Sequence, residues 1–122
     1  MKLSQSFKLA AAIKPKTVNS IVLRREKLSR AIDKQLYLIN QNQIGNKSNG
    51  LWHWQDETGS FFLPIKYGKK VIELSKGKYA IHCESLDEVI RSLITMKDII
   101  NSGEMDNALK LVSEKLRANF IS

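Results

Sequence analysis

Leu51 to Cys83 reads LWHWQDETGSFFLPIKYGKKVIELSKGKYAIHC, and the fold turns on this stretch. Apolar and polar residues alternate here, glycines punctuate the run at Gly59, Gly68 and Gly77, and a period of two is the signature of half-buried strands. Four strands are predicted, Leu51 to Gln55, Ser60 to Tyr67, Lys70 to Ser75 and Lys78 to Cys83. Asp56-Glu57-Thr58-Gly59 and Ser75-Lys76-Gly77-Lys78 have turn chemistry, so an antiparallel meander is the simplest topology. Pro64 has no N–H for a ladder and places its strand at an edge or beside a bulge. Alternation assigns Phe61, Leu63, Ile65 and Tyr67 to the core face and Phe62, Pro64 and Lys66 to the other.

Outward from the strands the period becomes helical. Upstream, Val18, Ile21, Leu28, Ile32, Leu36 and Ile39 recur at helical spacing, predicting a long helix over 17–43 that stops at a loop over 44–50 containing two glycines. Arg24, Lys27, Arg30 and Lys34 fall on an arc of about 120° nearly opposite that seam. Arg25 falls inside the seam, where it must snorkel or pair with a carboxylate, the acidic C-terminal third being the natural source. Downstream, Ser85 and Glu88 have capping-box spacing before a helix over 85–102 that ends at Gly103, and a last helix is predicted over 105–119. Residues 1–16 carry no consistent period and end at Lys14-Pro15-Lys16, which reads as an extended basic arm. The class is α+β: a long N-terminal helix, a four-stranded antiparallel meander and two C-terminal helices covering one sheet face, one domain over 17–122.

The chain has 122 residues with 20 Lys+Arg against 12 Asp+Glu, a formal charge of +8. A chain of that length buries roughly two-thirds of its unfolded surface without staples. One cysteine, Cys83, excludes an intrachain disulfide and fits a reducing, cytoplasmic setting. No apolar run approaches a membrane span, so no membrane partner is expected. The charge is uneven: residues 1–50 hold ten basic and two acidic side chains, whereas residues 84–122 hold five and seven. Clustered cations raise the local concentration of polyanions, which points to an anionic partner.

No phosphate-binding glycine loop, nucleophile elbow or histidine pair at metal-ligand spacing is present. His82 and Cys83, adjacent in a strand, point to opposite faces. Asp56, Glu73 and Lys76 resemble a nuclease set only superficially, since Asp56 sits in a turn. The chain therefore reads as a non-enzyme with neither cofactor nor metal. The candidate nucleic-acid-binding residues are Arg24, Lys27, Arg30 and Lys34 on the helix, Lys66, Lys69, Lys70, Lys76 and Lys78 around the strand turns, and Phe62, whose ring is a stacking platform if its face is open. The alternatives are edge protection by the lysines and a Phe62 packed under the first helix. The other strand-region aromatics are expected mostly in the core. Pro64 and the amphipathic end at Phe120-Ile121 suggest a homodimer.

Tyr67-Gly68-Lys69-Lys70, the run Lys76-Gly77-Lys78-Tyr79-Ala80-Ile81 and Gly103-Glu104-Met105-Asp106, with Lys14-Pro15-Lys16-Thr17 and Arg24-Arg25-x-Lys27-Leu28 upstream, resemble an uncharacterised family of small phage and prophage proteins. The resemblance spans Lys14 to Phe120 and implies a phage origin, hence the host cytoplasm, but no activity. A looser, topological likeness is to the single-strand-binding transcriptional coactivator fold. That likeness implies dimerisation through helices and DNA held on the sheets, although this chain has an extra long helix in front and another behind. The expected function is a phage-encoded, non-catalytic nucleic-acid-binding protein with a slight preference for single-stranded DNA. Its rival is a small anti-defence inhibitor that covers a host protein's nucleic-acid-binding or acidic surface, with a virion or assembly component behind both.

Overall fold

A computed structural model describes residues 3–12 and 19–121. Its elements in chain order are α1 (Leu3–Ser6), α2 (Ser20–Gln43), β1 (Trp54–Gln55), β2 (Phe61–Leu63), β3 (Lys66–Tyr67), β4 (Lys70–Val71), β5 (Ile81–Cys83), α3 (Leu86–Ser102) and α4 (Asp106–Ile121). The α+β class and the helix order match the sequence reading. The arm is not wholly extended, since α1 is a single helical turn, and residues 7–12 after it are exposed. Pro15, Thr17 and Val18 lie outside the described residues, as do the side chains of Phe120 and Ile121 that suggested a dimer.

Helix α2 begins where Asn19 Oδ1 accepts the Ile21 N–H at 3.0 Å, one of the orphan donors of a helix start. Leu28, Ile32, Gln35 and Ile39 are its buried residues. The apolar stripe thus begins at Leu28, because Ile21, predicted within it, is 40% exposed. Gln35 is a buried polar group inside the stripe, and both ends of its amide are engaged. Nε2 donates to Gly50 O at 3.0 Å and Oε1 accepts the Trp52 N–H at 2.8 Å, stitching the helix to the start of the strand region. The loop between them folds back on α2 through Ser48 Oγ, which donates to Leu38 O.

The strands form two small sheets instead of one four-stranded meander. One has the order β1-β2-β5 and the other pairs β3 with β4. Pro64 is the physical reason: with no N–H to give, it ends the ladder after Leu63, and the chain bends before resuming at Lys66. Pro64 is buried at this joint and does not lie on an open edge. The predicted hairpin between Lys70–Ser75 and Lys78–Cys83 shrinks to one bridge, Ser75 opposite Lys78. β5 instead pairs with β2, Leu63 opposite Ile81 and Phe61 opposite Cys83. That register joins the apolar faces of both strands, with Leu63 and Cys83 buried, and α3 packs on the pair. The parity reading holds for Leu63, Ile65 and Tyr67, all buried, with Phe61 partly buried against them.

Helix α3 is capped as expected, Ser85 Oγ accepting the Glu88 N–H at 3.2 Å. The Glu88 carboxylate reaches back to the Glu84 N–H at 2.6 Å. The helix ends at Gly103 with φ +94°. Arg25 does pair with a carboxylate of the C-terminal third: Nε donates to Asp106 Oδ1 at 2.8 Å and Nη2 to Oδ2 at 2.5 Å. This two-pronged contact and Lys97 Nζ to Asp33 Oδ1 at 2.5 Å fasten α2 to the C-terminal helices. A single core, including Leu28, Ile32, Leu63, Ile65, Leu93 and Leu109, lies between the helices and the inner strand faces. Among the described residues no helix is long and apolar enough to cross a membrane.

Candidate nucleic-acid interface

The outer face of the three-stranded sheet is built by register. Trp54 stands opposite Phe62, and Phe62 opposite His82, so three rings from three strands share one side. Trp54 and Phe62 stack with centroids 5.7 Å apart and an interplanar angle of 23°. Phe62 and His82 are tilted, 5.3 Å apart. Trp54 is 51% exposed and His82 is exposed. Phe62 is therefore the half-buried middle rung of an open ladder, on the side away from the core. Of the other strand aromatics Tyr67 is in the core and Trp52 and Phe61 pack against it, as expected of most of them, whereas Trp54 and Tyr79 are exposed.

Beside the ladder runs a groove of about 380 Å³ lined by Trp52, Trp54, Pro64, Lys66 and Tyr79. The Tyr79 hydroxyl donates to Glu73 Oε2 at 2.6 Å, which raises the phenol's pKa above its usual value and steadies the ring at the rim. On the other side of Trp52 and Lys66 lies a second cleft of about 270 Å³, between α2 and the β3–β4 hairpin. Lys27, Lys34 and Lys66 line it. Lys27 is held in place by its Nζ, 4.4 Å from the centroid of the Tyr67 ring, a cation–π contact. Trp52 and Lys66 border both cavities, so the lysine cleft and the aromatic groove adjoin.

The structure divides the ten predicted residues. It gathers Lys27, Lys34, Lys66 and Phe62 around this surface. Arg24 is half-buried against α4, in a groove with Lys110 and Arg117, because the first turns of α2 run beside that helix; its Nε is buried without a hydrogen-bond partner. Lys70 lines a separate groove with Lys115. Arg30, Lys69, Lys76 and Lys78 are exposed but line none of these cavities.

The carboxylates nearby have local work. Asp56 accepts the Thr58 hydroxyl at 2.7 Å and the Thr58 and Ser60 N–H groups at 2.9 and 3.0 Å. Those bonds, led by the hydroxyl, hold its pKa below the usual carboxylate value and shape the β1–β2 turn. Among the described residues no three His, Cys, Asp or Glu side chains gather to hold a metal. His53 is half-buried against Phe61, and burial lowers its pKa.

Trp52, Trp54, Tyr79 and His82 were missed as site residues. Trp54 was missed because the predicted four-residue turn from Asp56 to Gly59 would set it opposite Phe61, whereas Asp56 pairs with Ser60 across a three-residue loop and the register shifts Trp54 to Phe62. His82 was missed because its strand skips the neighbouring hairpin to pair with β2. No protein-family model matches the chain, and no curated protein and no solved structure matches it either.

Proposed function

We propose that the protein is a non-catalytic nucleic-acid-binding protein that holds single strands, DNA before RNA, with bases on the outer sheet face and phosphates at the lysines. The observation carrying this reading is the ladder Trp54, Phe62 and His82 adjoining, through Lys66, a cleft lined by Lys27 and Lys34. Exposed rings offer every base a π-face, and a track of cations beside them follows the backbone. A duplex hides its base faces, so the ladder favours unpaired strands. The resemblance to small phage proteins supports a phage-encoded role in the host cytoplasm, and on that resemblance alone the proposal extends so far.

The test is fluorescence anisotropy with a labelled single strand and its duplex at several salt concentrations. Trp54→Ala should weaken single-strand binding by about 1–3 kcal/mol, the value of one stacked base, with the salt slope unchanged. Purified protein with magnesium should leave the strand uncut. If neither form of DNA nor RNA binds with a salt-dependent affinity, the nucleic-acid reading fails and inhibition of a host protein takes its place.

A further inference from the structure

We infer that the cleft between α2 and the β3–β4 hairpin is a phosphomonoester site, which takes the phosphorylated end of the strand whose following bases lie on the aromatic face. The inference rests on the single-strand reading and adds a ligand end to it.

Charge is the first argument. Three lysines, Lys27, Lys34 and Lys66, line the cleft, and no carboxylate stands among its described lining residues. None of the three is ion-paired among the described residues. A backbone phosphodiester brings one negative charge, which leaves two of the three lysine charges uncompensated. A terminal monoester brings about −1.5 to −2 at neutral pH and three strong acceptor oxygens, a closer match to three ammonium donors.

The cleft is also prepared. Lys27 is pinned over the ring of Tyr67, which is itself buried. Gln35, which could compete for a ligand, has its amide committed to Gly50 O and the Trp52 N–H. With Gln35 engaged, the lysines are the cationic groups left to meet an anion, beside the polar side chains of Asn49 and Tyr67, and one lysine is already restrained before binding. Size limits the ligand further: about 270 Å³ lies below the usual span of roughly 300–1,000 Å³ for organic-ligand pockets. That room suits a phosphate and part of its sugar. Finally, Trp52 and Lys66 form the wall shared with the Trp54 and Tyr79 groove, so the nucleoside attached to a phosphate in the cleft is delivered to the stacking surface.

The experiment compares one single-stranded oligonucleotide in three forms, with a 5′-phosphate, with a 3′-phosphate, and with hydroxyls at both ends, using full-length protein. One phosphorylated form should bind about tenfold more tightly than the hydroxyl form. Lys34→Gln should abolish that ratio. Trp54→Ala should weaken all three forms and keep it. Equal affinities of the three forms, with binding itself intact, would overturn the phosphate site and leave the single-strand reading standing. If no form binds, the single-strand reading has failed, and titration of a nucleoside monophosphate against the tryptophan fluorescence decides the cleft alone. Saturation that Lys34→Gln removes supports the site, and no saturation overturns it. Should the monophosphate compete as well as the phosphorylated oligonucleotide, a free nucleotide, and not a strand end, is the source of the monoester.

Discussion

At Gly103, a Cβ would lie 3.0 Å from Arg25 Nη2 and 3.3 Å from Asp106 Oδ2, on a backbone with φ +94°. Glycine is needed there twice, for the left-handed turn that ends α3 and for the approach of the guanidinium. Gly103→Ala should therefore destabilise by roughly 1–2 kcal/mol from backbone strain alone, and by more if the ion pair shifts; urea unfolding reads the loss. The pair has its own pH signature. Hydrogen bonding from Arg25 lowers the Asp106 pKa, so folding binds fewer protons there, and the pair's contribution is complete above the ordinary carboxylate pKa and lost as pH falls through the lowered one. For His53, burial disfavours the charged form. The unfolded chain then takes that proton first, and stability declines as pH drops below about 6.5. His53→Gln should flatten this upper limb while leaving the acidic one. That Arg25 needs a carboxylate is legible from its place in an apolar seam. Which carboxylate is not, because Asp106 lies 81 residues away in the chain.

Helices were legible as elements because caps and periodicity agree, as at Ser85 and Gly103. The strands were legible in parity more than in pairing. Which of Phe61, Phe62, Leu63 and Ile65 face the core follows from alternation, whereas β5 beside β2 follows from burying Cys83 and Leu63 together under α3, a contact that local turn signals do not encode. Gln35 belongs to the same class of non-local facts. Read alone it is a polar residue in a stripe, and only the returning chain at Gly50 and Trp52 gives it partners. Gln35→Leu keeps the volume but takes the partner from the Gly50 carbonyl and from the half-buried Trp52 N–H. It should cost about 1–3 kcal/mol and loosen the wall of the lysine cleft, which hydrogen exchange at the Trp52 amide would register as faster.

Across the whole molecule, the first 50 residues carry ten basic side chains, and the fold does not present the four on the outer arc of α2 as one surface. Helical geometry alone makes Arg24, Lys27, Arg30 and Lys34 equivalent on one arc. Tertiary packing separates them, since α4 draws in Arg24 and the β3–β4 hairpin comes up against Lys27 and Lys34. A solvated-face account predicts that any two of the four cations contribute alike, because long-range attraction depends on net charge. Site binding predicts a split. For single strands each lost phosphate contact lowers the slope of log affinity on log salt by about 0.7. Lys27→Ala with Lys34→Ala should lower it by about 1.4, and Arg24→Ala with Arg30→Ala by far less, although both double variants remove the same charge. The fold should survive the lysine pair, because Lys27 and Lys34 are exposed and an exposed cation–π contact contributes only about 0.5–1 kcal/mol. Equal slopes for the two double variants, each folded by circular dichroism, would show that the molecule attracts polyanions by its overall charge and that the cleft binds none.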